Sequence, residues 1–282
     1  MPHTTLTASN YTQAPIGVFD SGIGGLSILK ALQLHLPKER FVYYADSEYA
    51  PYGEKTDTFI QERCLAIVHE LYHQHFIKAL VVACNTATAV AIAQLRLSYP
   101  TMPIIGIEPA LKPAVAHSIT NKVIVMATRG TLSSTKFQGL LHTVQTQSPT
   151  VKIVCHACDG LAGIIEQYWF DLNHFKIHEN IQQHLAAVNI NINLNVNSIS
   201  INNNYDTLVL GCTHYPLVLN VWRQYVPAFF YIVDNGIAVA QQLQRRLKSL
   251  NLLNESNVII QPIYLSSALN DKMNINKMFA NI

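Results

Sequence analysis

Short unbroken apolar runs recur along the chain, each followed by a polar turn and then by apolar positions at helical spacing. That alternation predicts strands buried on both faces and joined by crossover helices. Ile16 to Phe19 read as the first strand, Asp20-Ser21-Gly22-Ile23-Gly24-Gly25 as a tight turn, and Leu26 to about Leu36 as a helix. Phe41 to Ala45 make a second strand, followed by a loop from Asp46 to Thr56 that contains Ala50-Pro51-Tyr52-Gly53. Thr58 to His75 carry helical spacing, Leu80 to Ala83 form a third strand, and Ala87 to Leu97 an Ala-rich helix. This β-α-β-α-β order is that of a doubly wound parallel sheet. Pro103 to Ile107 add a strand, and Glu108-Pro109 opens a new helix.

The pattern then repeats. Val123 to Met126 with Ala127-Thr128-Arg129-Gly130-Thr131 correspond to the first strand and its Gly turn, and the strand at Leu208, ending at Cys212, corresponds to the one ending at Cys84. At 282 residues the chain is longer than most single domains. The expected fold class is therefore α/β, with two similar doubly wound domains and the active site at their interface. The first domain is expected over residues 15–108, with 236–282 returning to it, and the second over 109–235; residues 1–14 are expected to be a flexible extension. Tyr231 to Val233 predict a strand, about Ile237 to Leu250 a helix, and Val258 to Leu265 a late strand. The Asn-rich stretch 189–204 alternates like a strand on a polar background and is expected to be an exposed or edge segment without a functional role.

Composition narrows the class. Apolar residues make up 49%, enough for two cores, while a formal charge of +2 with 13% charged residues gives no basic face for nucleic acid. No apolar run approaches the roughly 20 residues of a membrane span, and the polar start lacks the apolar centre of a signal peptide. A cytoplasmic protein is expected, with no membrane and no nucleic acid among its partners. Five cysteines without an export signal argue for reduced thiols.

The candidate chemistry lies in two turns, Leu80 to Thr88 (LVVACNTAT) and Leu208 to Pro216 (LVLGCTHYP). Each places a cysteine at the carboxyl end of a buried strand, where open α/β sheets bind ligands. One such cysteine would ordinarily be read as a small buried hydrophobe. Two in equivalent positions ask for a shared explanation, and a thiol that moves protons needs an acid or base beside it, as Asp20 and His214 would be. Asp20 as a helix cap and His214 as a local hydrogen-bonding partner are the plainer readings. Gly22, Gly24 and Ser27 with Asp46 approach a dinucleotide fingerprint, but Ser27 replaces the third glycine and Asp20 would repel a pyrophosphate. Cys155-His156-Ala157-Cys158 has the spacing of a redox pair or half a zinc site, with no second ligand pair in the sequence to complete it. Cys64 reads as packing, and His69, His73 and His75 as a solvated helix face. No metal site is expected.

FDSGIGGLSIL, YYADSEYAPYGEKT, VVACNTATA, ATRGTLSSTKF and LVLGCTHYPLV, in this order over most of the chain, closely resemble the cofactor-independent aspartate/glutamate racemase family. The resemblance implies two α/β domains with the active site between them, no cofactor, and interconversion of L- and D-glutamate for peptidoglycan. It makes Cys84 and Cys212 the acid/base thiols, with Asp20 supporting the first and His214 the second, and it matches Glu166 to a glutamate near the second thiol. Substrate would be held by Asp20, Ser21, the Pro51-Tyr52-Gly53 loop, Asn85, Thr86, Thr128, Thr131, Thr213 and His214. Two positions depart from the family pattern: Asp159 stands where proline is usual, and Phe137 where tyrosine is common. In the family it resembles, members are often homodimers and some are activated by a peptidoglycan precursor, which makes both open expectations for this chain. Racemisation suits the residues, because a proton must leave one face of Cα and another return to the opposite face, which two thiols accomplish together. The rival readings are an oxidoreductase that uses a nucleotide at the Gly22 turn and a non-catalytic amino-acid binding protein.

Overall fold

The computed structural model describes residues 11–188 and 205–268. The Asn-rich stretch 189–204 and residues 1–10 of the expected extension lie outside the described residues. Those up to Ile107 and from Gly236 onward pack as one compact unit, and Glu108 to Asn235 as a second.

The first unit is built on β1 (Ile16–Asp20), β2 (Phe41–Ala45), β3 (Ala79–Val82), β4 (Ile104–Gly106) and β9 (Ile263–Ser266). All pair in parallel, in the order β4-β3-β1-β2-β9. Every residue of β1, β2 and β3 is buried, as continuous apolar strands sandwiched between helices must be. The helices Asp57–His75 and Asn85–Ser98 cover one face, closing Phe19, Ile60, Cys64, Ile67, Leu80, Val82 and Leu95 into a core. The helices Leu26–His35 and Gly236–Ser249 pack together in this same unit.

The second unit is built on β5 (Lys122–Ala127), β6 (Lys152–Ala157), β7 (Thr207–Leu210) and β8 (Tyr231–Val233), again parallel, in the order β6-β5-β7-β8. Its two faces are filled by separate clusters. Ile124, Leu161, Ile181, Leu208 and Trp222 lie in one, and Val123, Val125, Phe137, Val144 and Val209 in the other.

Both sheets reverse their winding at the equivalent place, between β1 and β3 in the first and between β5 and β7 in the second. Loops at the carboxyl ends of such strand pairs diverge to opposite faces and leave a crevice. Cys84 follows β3 and Cys212 follows β7, so each cysteine stands at its own sheet's switch point.

Three expectations need correction. The extension ends sooner than expected: Ala14 is buried, and the Lys78 ammonium, itself buried against Glu39 at 2.6 Å, donates to the Thr12 carbonyl. Glu108 belongs to the second unit, where Lys136 Nζ lies 2.9 Å from its Oε1. The late strand is shorter, because Val258, Ile259 and Ile260 are exposed and only Ile263–Ser266 pairs with β2.

Candidate active site

In the first unit, Asp20 closes β1 with its carboxylate turned back into the turn, where Oδ2 accepts the Gly25 N–H at 2.8 Å. Glycine is required there, since a Cβ on Gly25 would stand 2.6 Å from Asp20 Cβ and 2.9 Å from Tyr43 Oη. One strand away, Cys84 is the N-cap of the Asn85–Ser98 helix, with extended backbone and its Sγ accepting the Ala87 N–H at 3.4 Å. A sulfur in that position faces the unpaired N–H groups and positive dipole end of the helix, a setting that favours its anion. Thr88 locks the helix start beneath it, donating to the Val82 carbonyl (3.1 Å) and accepting the Ile107 N–H (3.1 Å).

Asn85 and Thr86, the first two helical residues, and Ser21 are all buried. Asn85 differs from its neighbours in that neither its Oδ1 nor its Nδ2 has a hydrogen-bond partner among the described residues. A carboxamide buried without partners is destabilising in isolation, and such a group calls for a partner from outside the chain, an ordered water, an ion or a ligand.

Pro51, Tyr52 and Gly53 form a turn over this end of the sheet, but the Tyr52 side chain is directed inward. Its hydroxyl donates to Asp46 Oδ2 at 2.5 Å, and its ring is buried with Phe19 and Cys84 in one core. Asp46 is held in turn by Arg63, whose Nε donates at 3.0 Å and whose Nη2 donates at 2.5 Å. The tyrosine is therefore the anchor of the turn. This also removes the dinucleotide reading, since Asp46 is fully buried and engaged and Asp20 is bound to Gly25. Burial first, and then the Asp46 charge, hold the Tyr52 phenol well above its ordinary range. Burial likewise raises the Cys64 thiol, which lies in this core as packing. His69 and His73 stand exposed on their helix.

In the second unit, Thr128 caps the Arg129–Ser133 helix, its Oγ1 accepting the Thr131 N–H at 3.3 Å and lying 2.9 Å from Thr131 Oγ1. Gly211 lets β7 pass close to β5, because a Cβ there would meet Ala127 Cβ at 2.9 Å and the Met126 carbonyl at 3.0 Å. Cys212, Thr213 and His214 follow, all buried. His214 Nδ1 lies 3.8 Å from Cys212 Sγ, and its Nε2 donates to Glu166 Oε2 at 2.6 Å from the Leu161–Gln167 helix. Burial works against a charged His214, but the hydrogen bonds to Cys212 and Glu166 outweigh it and hold the imidazole well above its ordinary value. Cys212, His214 and Glu166 thus stand in one chain of contacts.

Each predicted residue lies at the carboxyl end of its own sheet or, for Glu166, in contact with that end. Arg63, as the anchor of Asp46, was not foreseen. Nothing in its helical spacing distinguishes it from other arginines.

Two parallel sheets, each with a cysteine at its switch point, define a cysteine-bearing α/β enzyme. Residues 26–243 match the sequence model of the family described as Asp/Glu/Hydantoin racemase. A glutamate racemase from Pseudomonas syringae pv. tomato is 42% identical over 258 residues, covering 92% of this chain and 87% of that protein. One from Ectopseudomonas mendocina is 43% identical over 244 residues, 86% of each chain. Among solved structures, glutamate racemase isoform RacE1 from Bacillus anthracis superposes with a TM-score of 0.78 at 29% identity, over 96% of this chain and 95% of that one. An Escherichia coli glutamate racemase in complex with L-glutamate and the activator UDP-MurNAc-ala gives 0.77 at 27% identity, over 94% and 95%. The chain belongs to the Asp/Glu/hydantoin racemase family and, within it, to the glutamate racemases, enzymes of the isomerase class. Among the described residues, no helix is long and apolar enough to cross a membrane.

Proposed function

We propose that this chain interconverts L- and D-glutamate through Cys84 and Cys212, without a cofactor, and that the D-enantiomer feeds peptidoglycan synthesis in the cytoplasm. The observation that carries the proposal is the recurrence of one buried cysteine, with a polar neighbour, at the switch point of each of two equivalent sheets. One thiolate removes the α-proton from one face of the substrate while the other thiol delivers a proton to the opposite face, and the roles exchange when the reaction runs backwards.

In the direction that draws a proton from Cys212, negative charge develops on its sulfur beside His214, and the imidazolium held by Glu166 stabilises it. Cys84 relies on the N-terminus of its own helix, with Asp20 ending the neighbouring strand. Substrate carboxylates would be bound by Ser21, Thr86, Thr128, Thr131 and Thr213, by the N–H groups of the capped helices, and by the Asn85 carboxamide, which gains the partners it otherwise lacks. Pro51, Tyr52 and Gly53 would contribute through their backbone.

Circular dichroism or polarimetry of purified protein with L-glutamate and no added cofactor tests the proposal. The signal should decay to that of the racemic mixture. A flat trace, with and without a UDP-linked peptidoglycan precursor, overturns it.

A further inference from the structure

We propose that His156, Cys158 and His184 form a binding site for a thiophilic divalent transition-metal ion of the zinc class. In sequence, the Cys155-x-x-Cys158 pair has no partners. The fold supplies one from the last turn of the Phe175–Ala187 helix, where His184 reaches the end of β6. His184 Nδ1 lies 3.0 Å from His156 Nε2, and one ring nitrogen of each histidine and Cys158 Sγ all lie within 4.8 Å of one another.

Burial and position select the cysteine. Cys155, next to His156 in β6, is exposed and points to the opposite face, whereas Cys158, just past the end of the strand, is buried with its Sγ among the histidine nitrogens. With Zn–N of about 2.1 Å and Zn–S of about 2.3 Å, a tetrahedral site has N···N edges of about 3.4 Å and N···S edges of about 3.6 Å. The nitrogen pair is already near that spacing, and the sulfur has at most about 1.2 Å to close.

The surroundings favour a metal over a simple histidine pair. His184 Nε2 lies 3.3 Å from the Asp159 carbonyl, so its N–H donates outward and its Nδ1 lone pair faces His156. Metal-bound histidines are oriented by an outer hydrogen bond of this kind. In the metal-free arrangement His156 Nε2–H donates to that lone pair, and the other tautomer of His156 leaves both nitrogens directed at an ion. Met126 Sδ, 3.5 Å from Cys158 Sγ, adds a soft neighbour, and a thiolate with two imidazoles selects zinc-class ions over calcium or magnesium. Cys158 is buried while both histidines are half-exposed, which leaves an entry path and a fourth coordination position on the histidine side. The Tyr215 hydroxyl donates to the Cys158 carbonyl at 3.4 Å, so the site lies one contact from the segment that carries Cys212.

Cobalt titration of the full-length, chelator-treated protein tests the proposal. One equivalent of Co²⁺ should produce intense visible bands of tetrahedral coordination with thiolate-to-cobalt absorption in the near ultraviolet, and Zn²⁺ should erase both. His184→Gln and His156→Gln, at half-exposed positions, should lose the tetrahedral bands while keeping the wild-type far-ultraviolet spectrum. Cys158→Ser should lose the thiolate absorption, and if that buried substitution fails to fold, the two histidine variants decide. Cys155→Ser and Cys212→Ser should bind cobalt as the wild type does. Absence of tetrahedral bands in the wild type, their survival in His184→Gln, or their loss in Cys212→Ser overturns the assignment, the last by moving the metal to the catalytic thiol.

Discussion

Asn85→Ala separates binding from folding. The Asn85 side chain is buried with both polar atoms unpartnered among the described residues. An unsatisfied buried polar group costs about 1–3 kcal/mol, and deleting it removes that cost. The small void left behind takes back roughly 1 kcal/mol, and alanine at the first position of the Asn85–Ser98 helix is at least as good a helix former. The net expectation is a gain of roughly 1 kcal/mol, or about 2–4 °C in Tm for a chain of this size. Catalysis should move the other way, because a hydrogen bond to a charged carboxylate is worth about 1.5–3 kcal/mol and its loss lowers kcat/KM roughly 10- to 150-fold. Thermal unfolding with and without D-glutamate, beside initial rates, checks both halves. The ligand should raise the wild-type Tm by more than that of the variant. A variant of lower Tm with unchanged kcat/KM would make the carboxamide a structural group and refute the reasoning.

Further expectations concern the thiols and their supports. Cys84→Ala and Cys212→Ala should each abolish racemisation in both directions with an unaltered far-ultraviolet spectrum, while Cys155→Ala keeps activity; turnover by Cys212→Ala at the wild-type rate would end the two-thiol proposal. Asp20→Asn and His214→Asn should lower kcat unequally in the two directions, with KM shifting to match because the equilibrium constant between enantiomers is unity; equal losses would make them positioning groups for substrate. His214 is held above its ordinary value of 6.5, so the stability its charge contributes is complete below about 6.5 and is lost as the pH rises through the higher folded-state value. Glu166→Gln should therefore lower Tm at acidic pH and converge on the wild type at alkaline pH, and a pH-independent difference would contradict this. In D₂O at low conversion, product D-glutamate should carry deuterium at Cα while recovered L-glutamate stays largely unlabelled, whereas equal labelling of both would point to a single base.

The buried half of the architecture was legible in the sequence for a physical reason. Phe41–Ala45 and Tyr231–Val233 have the bounds their apolar runs predict, and the repeat of the Cys84 and Cys212 turns follows directly from strand order. What escaped were features set by exposure or by distance along the chain. β6 is an edge strand, half-exposed, and its Cys155-His156-Ala157 carries no apolar alternation to announce it. His156 and His184 are 28 residues apart and Asp46 and Arg63 17 apart, and no periodicity connects such pairs. Glu166 stands 48 residues from His214, and only the family resemblance suggested it before the fold joined them. The engagement of the Tyr52 hydroxyl by Asp46 could not be read from the sequence either, because a loop tyrosine looks available until the fold brings the carboxylate to it.

The repeat is one of backbone rather than of side-chain chemistry. β1 ends in a carboxylate, Asp20, bound to a glycine N–H; β5 is followed, in the equivalent place, by a neutral threonine cap, Thr128. After β3 the cysteine is itself the cap of a 14-residue helix, whereas after β7 the chain makes a short 3₁₀ turn, Tyr215–Val218, and the sulfur is attended by His214 instead. A long helix presents aligned N–H groups to its cap and the short turn presents few; beside the second sulfur stands the His214 ring instead, hydrogen-bonded to Glu166. In the proposed two-thiol mechanism each sulfur acts as an acid in one direction and as a base in the other. Two different devices would then meet that one requirement, the helix N-terminus in one unit and the His214 ring held by Glu166 in the other, each placed to stabilise its sulfur when charged.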